Sequence, residues 1–368
     1  MGFTFLRTVS FRNLTDSETD VRGRDIFLVG ENGQGKSNFL EALYFCSYAS
    51  SFRGARDSDM ARTGENAFSV SSGFDNNINN NLNITYREKE KKIILDGKKI
   101  DDRKELLRVT PSIIFCHEDM DFVSGTPERR RWFFDQTRSL WDSLYLEDLQ
   151  KYRYVLKNRN LLLRNLQQGI NKSENEATLL ALDPQLSRYG LELSGKRRET
   201  AEEFSAVFEP LYKAISGIDG INIKYTSSWK ADSIDGIMEH LAEKQHIDIS
   251  MGVSRSGPHR DRYSFLRGGM DFSGNASTGQ RRLLALLLRI AQAKIFSERT
   301  GNKPVFLLDD VLLELDGEKR KRFISLLPEY EQAFYTFLPI EPYESYRKSD
   351  TIVYNVENGS ITPNGSRN

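Results

Sequence analysis

Apolar and polar residues alternate over residues 3–11 and apolar ones run together over 26–29 behind Asp25, which predicts strands at 3–11 and 25–29 separated by a polar turn around 15–20. Beyond a glycine-rich stretch, Phe39, Leu40, Leu43, Tyr44 and Phe45 fall at helical spacing and predict a helix over 36–48. Alternation returns at 68–74, 82–86 and 91–95. With Asp96-Gly97 closing the last run, this predicts antiparallel strands with tight turns and an asparagine-rich loop at 76–83. From Pro127 to about Lys213 the pattern turns helical and charged. Tyr145, Leu149, Tyr152 and Leu156 form one face of a long helix, the polar stretch 167–176 interrupts it, and helical spacing resumes over 179–212. The last part predicts helices at 280–296 and 317–327 and short strands at 305–308 and 333–337.

This order reads as one α/β head built from both ends of the chain, with an antiparallel helical arm inserted between them. Lobe I is expected over 1–112 and 280–368, and a mainly helical lobe II over 113–279. A length of 368 residues suits two lobes at roughly 150 residues per domain. Hydrophobic residues at 38% and charged ones at 28% favour a packed core over disorder. Fifty-two basic residues balance fifty-two acidic ones, so no global field draws the chain to nucleic acid and any such site must be local. Cys46 and Cys116 cannot make a disulfide framework or a Cys-x-x-Cys zinc site, which suits a reducing cytoplasm. No run approaches the ~20 apolar residues of a membrane span, and Arg7 and Arg12 break up any signal-peptide core. A cytoplasmic protein without a membrane partner is expected.

Candidate chemistry begins at Gly30-Glu31-Asn32-Gly33-Gln34-Gly35-Lys36-Ser37, a complete G-x-x-x-x-G-K-[ST] between a predicted strand and a predicted helix. Its glycines let backbone N–H groups close around phosphates. Lys36 then reaches the β and γ oxygens, and the Ser37 hydroxyl binds Mg²⁺. The alternative is a chance glycine turn, which the flanking elements argue against. Val305-Phe306-Leu307-Leu308 is a continuous apolar run ending in Asp309-Asp310, the pattern of a central parallel strand. Asp309 is placed to complete the Mg²⁺ shell and Asp310 to orient or deprotonate an attacking water; a bland helix cap at Asp310 is the competing reading. The interval from Ser37 to Asp309 is 309 − 37 = 272 residues, so a large insertion separates the two halves of the site. Neither Asn-Lys dipeptide, at Asn171 and Asn302, continues into the Asn-Lys-x-Asp guanine motif. Ser277-Thr278-Gly279-Gln280 opens the helix before the Asp309 strand, and Ser277 can cap it, leaving N–H groups that attract a phosphate. Alone this is an ordinary capped helix. Beside a phosphate loop and an acidic strand it is similar to the signature of ABC-type ATPases, in which one subunit's helix faces the γ-phosphate held by the other.

Several blocks occur in a characteristic order: Phe11-Arg12-Asn13, the phosphate loop followed by Asn38, Gly125-x-Pro127-x-Arg129-Arg130-Arg131, Leu156-Lys157-x-Arg159-Asn160, Gly257-Pro258-His259-Arg260-Asp261, the signature, and Leu308-Asp309-Asp310-Val311-Leu312-x-Glu314-Leu315-Asp316. In this the chain resembles the RecF family of SMC-like ABC ATPases over nearly its whole length. The resemblance implies an ABC head with no long coiled coil, ATP and Mg²⁺ as cofactors, and Arg12, Asn13 and Asn38 beside the phosphate loop at the nucleotide. It implies a slow ATPase stimulated by DNA, DNA as partner in double-stranded or gapped form, an ATP-dependent homodimer, and action with RecR and RecO to load RecA at gaps. The sequence departs from the family pattern at His117, Arg262, Thr278 and Leu313.

Three further readings complete the expectation. Glu118 or Asp119 approaches the Mg²⁺ in the manner of the ABC Q-loop, or forms a solvated acidic turn. The basic clusters 129–131, 196–198 and 319–322 offer phosphate contacts, against the alternative of solvated faces. The four histidines make no metal centre. ATP-gated DNA binding is thus the leading function; the rivals are an ATP-gated protein-assembly switch with only indirect DNA contact and a transporter's nucleotide-binding subunit.

Overall fold

A run of apolar residues has no face to offer to water, and the runs at 26–29 and 305–308 accordingly become inner strands of a parallel sheet. The computed structural model describes residues 2–75, 80–101, 104–311 and 317–364. The chain divides into two compact units, one formed by residues 1–119 and 296–368, the other by 120–295.

The first unit runs β1 (Phe3–Val9), β2 (Ser17–Asp20), β3 (Asp25–Val29), α1 (Lys36–Tyr48), β4 (Phe68–Phe74), β5 (Asn80–Arg87), β6 (Glu90–Leu95), β7 (Lys98–Ile100), α2 (Lys104–Val109) and β8 (Ser112–Phe115). In the middle unit follow α3 (Asp121–Ser124), α4 (Pro127–Ser139), α5 (Ser143–Gln167), α6 (Lys172–Ser216), β9 (Ile221–Thr226), α7 (Ile234–Met251), β10 (Arg262–Arg267), β11 (Met270–Asp271), α8 (Phe272–Asn275) and α9 (Thr278–Thr300), whose last turn returns the chain to the first unit. There it ends with β12 (Val305–Leu308), α10 (Gly317–Leu326), β13 (Gln332–Phe337), β14 (Thr351–Glu357) and β15 (Ser360–Pro363).

Two six-stranded sheets make the first unit, ordered β2-β1-β4-β5-β6-β7 and β15-β14-β3-β13-β12-β8. The former is antiparallel throughout; in the latter, β14, β3, β13, β12 and β8 are mutually parallel and β15 closes the edge antiparallel. Helix α1 packs against strands of both sheets, and for that reason it is apolar nearly all round: Phe39, Leu40, Leu43 and Phe45 are all buried in one core with Phe11, Phe68, Ile114 and Phe334.

In the middle unit α5 and α6, of 25 and 45 residues, pack along each other as the expected arm. The side chains of Thr126 and Asp142 cap α4 and α5. Arg159, from the Leu-Lys-x-Arg-Asn block, is fully buried and donates to Asp183, Asp248 and Ser254 at 2.7–2.8 Å, while Asn160 accepts from the Ser254 N–H at 2.8 Å. That block therefore ties α5 to α6 and α7. A three-stranded sheet, β11-β10-β9, completes the unit.

Four expectations change. Residues 17–20, expected as a turn, form the edge strand β2; only Thr19 points inward, so no apolar alternation betrays it. Of the expected loop 76–83, residues 80–83 belong to β5 and 76–79 lie outside the described residues. The strand expected to reach residue 11 ends at Val9, and Phe11 makes an isolated bridge to Ala61. Finally, β8 belongs to the parallel sheet, so the first unit runs on past residue 112, and most of α9 falls in the middle unit.

Candidate nucleotide site

The loop between β3 and α1 is shaped by its glycines. Gly33 and Gly35 hold φ of +80° and +116°, and a Cβ on Gly30 would stand 2.3 Å from the Val356 carbonyl oxygen, so no other residue fits there. The Gly30 N–H donates to the Phe337 carbonyl at 3.1 Å, fastening the loop's start to β13. Glu31, Asn32 and Gly33 are exposed at its tip. Lys36 is buried, and its ammonium donates to the carbonyls of Gly30 at 2.7 Å and Glu31 at 3.1 Å, so the charge lies within the curl of the loop.

Strand β13 lies between β3 and β12 and brings their C-terminal ends to one edge. There the Ser37 hydroxyl donates to Asp309 Oδ1 at 2.7 Å. Burial pushes the Asp309 carboxyl up to about 6; the charges of Asp310 and Glu118 add to the shift, and the Ser37 hydroxyl and Arg53 oppose it. A half-buried carboxylate beside a hydroxyl is a donor set suited to Mg²⁺, which characteristically takes one or two protein oxygens and completes its shell with phosphates and water. Among the described residues no cluster of three or more His, Cys, Asp or Glu could hold a metal alone, so a shared ion is the arrangement these donors fit.

Asp310 has φ of +52°, a conformation few non-glycine residues adopt. Thr336 on β13 holds it there: the Asp310 N–H donates to the Thr336 Oγ1 at 2.7 Å, and the hydroxyl lies 2.8 Å from Asp310 Oδ1. Sequence reading missed Thr336, because a threonine in a β-strand carries no signal. It missed Glu341 as well, a buried carboxylate whose pKa burial raises and whose field is coupled to Asp310 and Lys36.

Asn13, Asn38 and Arg12 beside the loop are each held by partners of their own. Asn13 donates to the Gly33 carbonyl at 3.2 Å and accepts from Asn38 at 2.8 Å, and Arg53 donates to Asn38 at 2.8 Å. Arg12 makes a bidentate pair with buried Glu41 at 2.8 and 3.0 Å and donates to the Asp59 carbonyl at 2.7 Å, so its guanidinium buttresses α1. An unforeseen brace comes from the C-terminal hairpin β14–β15: the Asn358 N–H donates to the Gln34 side chain at 2.6 Å and the Gly359 N–H to the Gln34 carbonyl at 2.8 Å. Of the two acids expected near the cation, Asp119 accepts the Cys116 N–H at 3.1 Å and closes its own turn, whereas Glu118 is the one whose charge reaches Asp309.

At the start of α9, in the middle unit, Ser277 and Gln280 form a reciprocal capping box. The Ser277 Oγ accepts the Gln280 N–H at 3.3 Å and the Gln280 side chain accepts the Ser277 N–H at 2.8 Å. Ser277, Thr278 and Gly279 are exposed, and a Cβ on Gly279 would meet nothing, so this helix end presents itself to the outside. Residues 312–316, with Leu313, Glu314 and Asp316, lie outside the described residues.

Residues 4–360 match the model of the RecF/RecN/SMC N-terminal domain. A DNA replication and repair protein RecF of Treponema pallidum is 40% identical over 357 residues, 96% of this chain and 99% of that one. A solved structure of the recombination mediator protein RecF with ATP, in the RecFOR pathway, superposes with a TM-score of 0.88 at 28% identity and covers 98% of this chain and 97% of that one. An Smc head bound to the winged-helix domain of ScpA shares the fold alone, at a TM-score of 0.56 and 16% identity over 98% and 96% of the two chains. A phosphate loop, an acidic strand end and a capped helix on an ABC-type head, matched over almost its full length, place this chain in the RecF family.

Proposed function

We propose that this chain is an ATP-dependent DNA-binding protein of recombinational repair, which dimerises on ATP and, with RecR and RecO, helps load RecA at gapped DNA. The observation that carries this reading is the 2.7 Å contact between Ser37 and Asp309, which unites phosphate loop and acidic strand in one site. The ATP-bound relative of the same fold supports it.

In this reading the loop N–H groups and Lys36 take the phosphates, exchanging the loop's own carbonyls for phosphate oxygens. Ser37 and Asp309 hold Mg²⁺, which when bound neutralises phosphate charge. Asp310, fixed by Thr336, orients the attacking water and accepts its proton. Asp is one methylene shorter than the Glu common at this position in ABC ATPases, which favours slow turnover. Ser277 to Gln280 of one subunit contact the γ-phosphate held by the other, so ADP cannot join the pair. The site of action is the cytoplasm; among the described residues no helix is long and apolar enough to cross a membrane.

ATP turnover with and without gapped duplex DNA tests the reading. A several-fold stimulation by DNA is expected, while turnover indifferent to DNA favours the assembly switch.

A further inference from the structure

Most of the charge in the basic clusters of the middle unit is spent internally. Arg129 pairs with Asp121 at 3.3 Å, Arg130 donates to the carbonyls of Val123 and Tyr263, and Lys196 pairs with Asp148 at 3.1 Å. Arg197 is buried and grips both oxygens of Asp135 at 2.8–2.9 Å. Three other arginines line a single cavity of about 350 Å³: Arg131, Arg153 on α5, and Arg260 from the Gly-Pro-His-Arg block. Arg131 donates one N–H to the Asp261 carbonyl at 2.7 Å. Among the described residues, no hydrogen bond or ion pair engages the side chain of Arg153 or Arg260.

The negative side is weak. Asp135 reaches the cavity already neutralised by Arg197, and Glu128 is an exposed carboxylate at its edge. His259 lies in the wall with both ring nitrogens committed: Nε2–H donates to the Ser254 carbonyl at 3.0 Å, so Nδ1 accepts from the Tyr152 hydroxyl at 2.8 Å. The arginines are therefore the donors on offer, and their planar forks match phosphoryl oxygens. The volume exceeds that of a phosphate, and Trp132 adds an aromatic wall against which a sugar or base can lie.

We infer that this cavity is an anion site for the phosphoryl group of a nucleotide unit, distinct from the phosphate loop, with Arg131, Arg153 and Arg260 as its donors. With a nucleic-acid strand as the source of that unit the inference deepens the DNA-binding reading and rests on it; a free phosphate or mononucleotide supplies the same chemistry.

The test uses the full chain with Arg153→Gln, Arg260→Gln and the double substitution, neither residue being held by a fold contact. Binding to a fluorescent gapped duplex is followed across a salt series in the presence of ATP. Each lost phosphate contact should lower the slope of log K against log salt by about 1, and the double variant should bind roughly tenfold more weakly, with ATP affinity unchanged. A second arm titrates inorganic phosphate and AMP into Lys36→Ala protein with and without Arg260→Gln. Saturable binding that Arg260→Gln abolishes assigns the site to free phosphoryl groups. If the parent binds no DNA at all, the DNA reading fails and the second arm alone decides the cavity. Salt slopes and phosphate titrations both unmoved by the substitutions overturn the inference.

Discussion

Ser37 and Asp309 stand 272 residues apart in the chain and 2.7 Å apart in the fold. They meet because β3 and β12 flank β13 in one parallel sheet, so the loop after one strand and the acids after the other share an edge. Between them the chain leaves that sheet for the antiparallel one, returns to it at β8, and runs through the whole middle unit before rejoining it at β12.

Asp310→Asn should leave ATP binding nearly intact and lower kcat by about 10²- to 10⁴-fold, the usual range for losing a general base. Thr336→Val removes the hydroxyl that holds Asp310 at positive φ and should lower kcat at nearly constant KM, with Thr336→Ser close to the parent. Steady-state kinetics on the three variants checks this; a Thr336→Val effect confined to KM would mean that the hydroxyl does not position the acid.

Gly359→Ala tests the brace from the C-terminal hairpin. The added Cβ would lie 1.8 Å from the Asn13 carbonyl oxygen, at a φ of +80° that alanine resists. Stability should fall by about 1–3 kcal/mol by denaturant titration, and ATP affinity should fall with it, because Asn13 and Gln34 pass the displacement to the phosphate loop. Unchanged ATP affinity in folded protein would separate the hairpin from the site.

Much of this was legible in the sequence. The phosphate loop, α1 and β12 declare themselves because a buried helix and a doubly buried strand must be almost wholly apolar, and because few backbones close around phosphate. What stayed hidden has the opposite character. β2 is polar because it is an edge; Thr336, Glu341 and the 358–359 turn act through tertiary contacts with no local pattern; and the Arg159 block, noticed as a motif, proves to be a buried ion cluster inside the middle unit.

Ser277→Arg removes the capping hydroxyl from α9 and places a long side chain at an exposed helix end. Loss of the cap costs about 1 kcal/mol, which leaves the monomer folded. ATP binding should persist while the ATP-dependent dimer is lost in light scattering. A dimer as strong as the parent's would reduce this box to an ordinary helix cap.

Acid should weaken the middle unit through His259. Its ring is half-buried, and desolvation lowers its pKa to about 4 from an ordinary 6.5, with Arg260 and Arg131 contributing and the Ser254 carbonyl and Asp248 opposing. Between these values the unfolded chain holds a proton that the folded chain refuses, so stability falls as pH drops from 6.5 towards 4 and levels below it. The full loss from this group is on the order of 3 kcal/mol. His259→Gln should be less stable at neutral pH yet show a shallower decline from pH 6.5 to 5 in thermal melts; an unaltered decline would assign the acid sensitivity to other groups.

Retention on gapped DNA, measured by fluorescence anisotropy with ATP and Mg²⁺ and then with ADP and Mg²⁺, addresses the central claim most directly. The account predicts tight binding with ATP, release with ADP, prolonged retention of Asp310→Asn by ATP, and no response to ATP in Lys36→Ala. Equal affinity with ATP, with ADP and without nucleotide would contradict it, because the site built around Ser37 and Asp309 would then not be gating DNA.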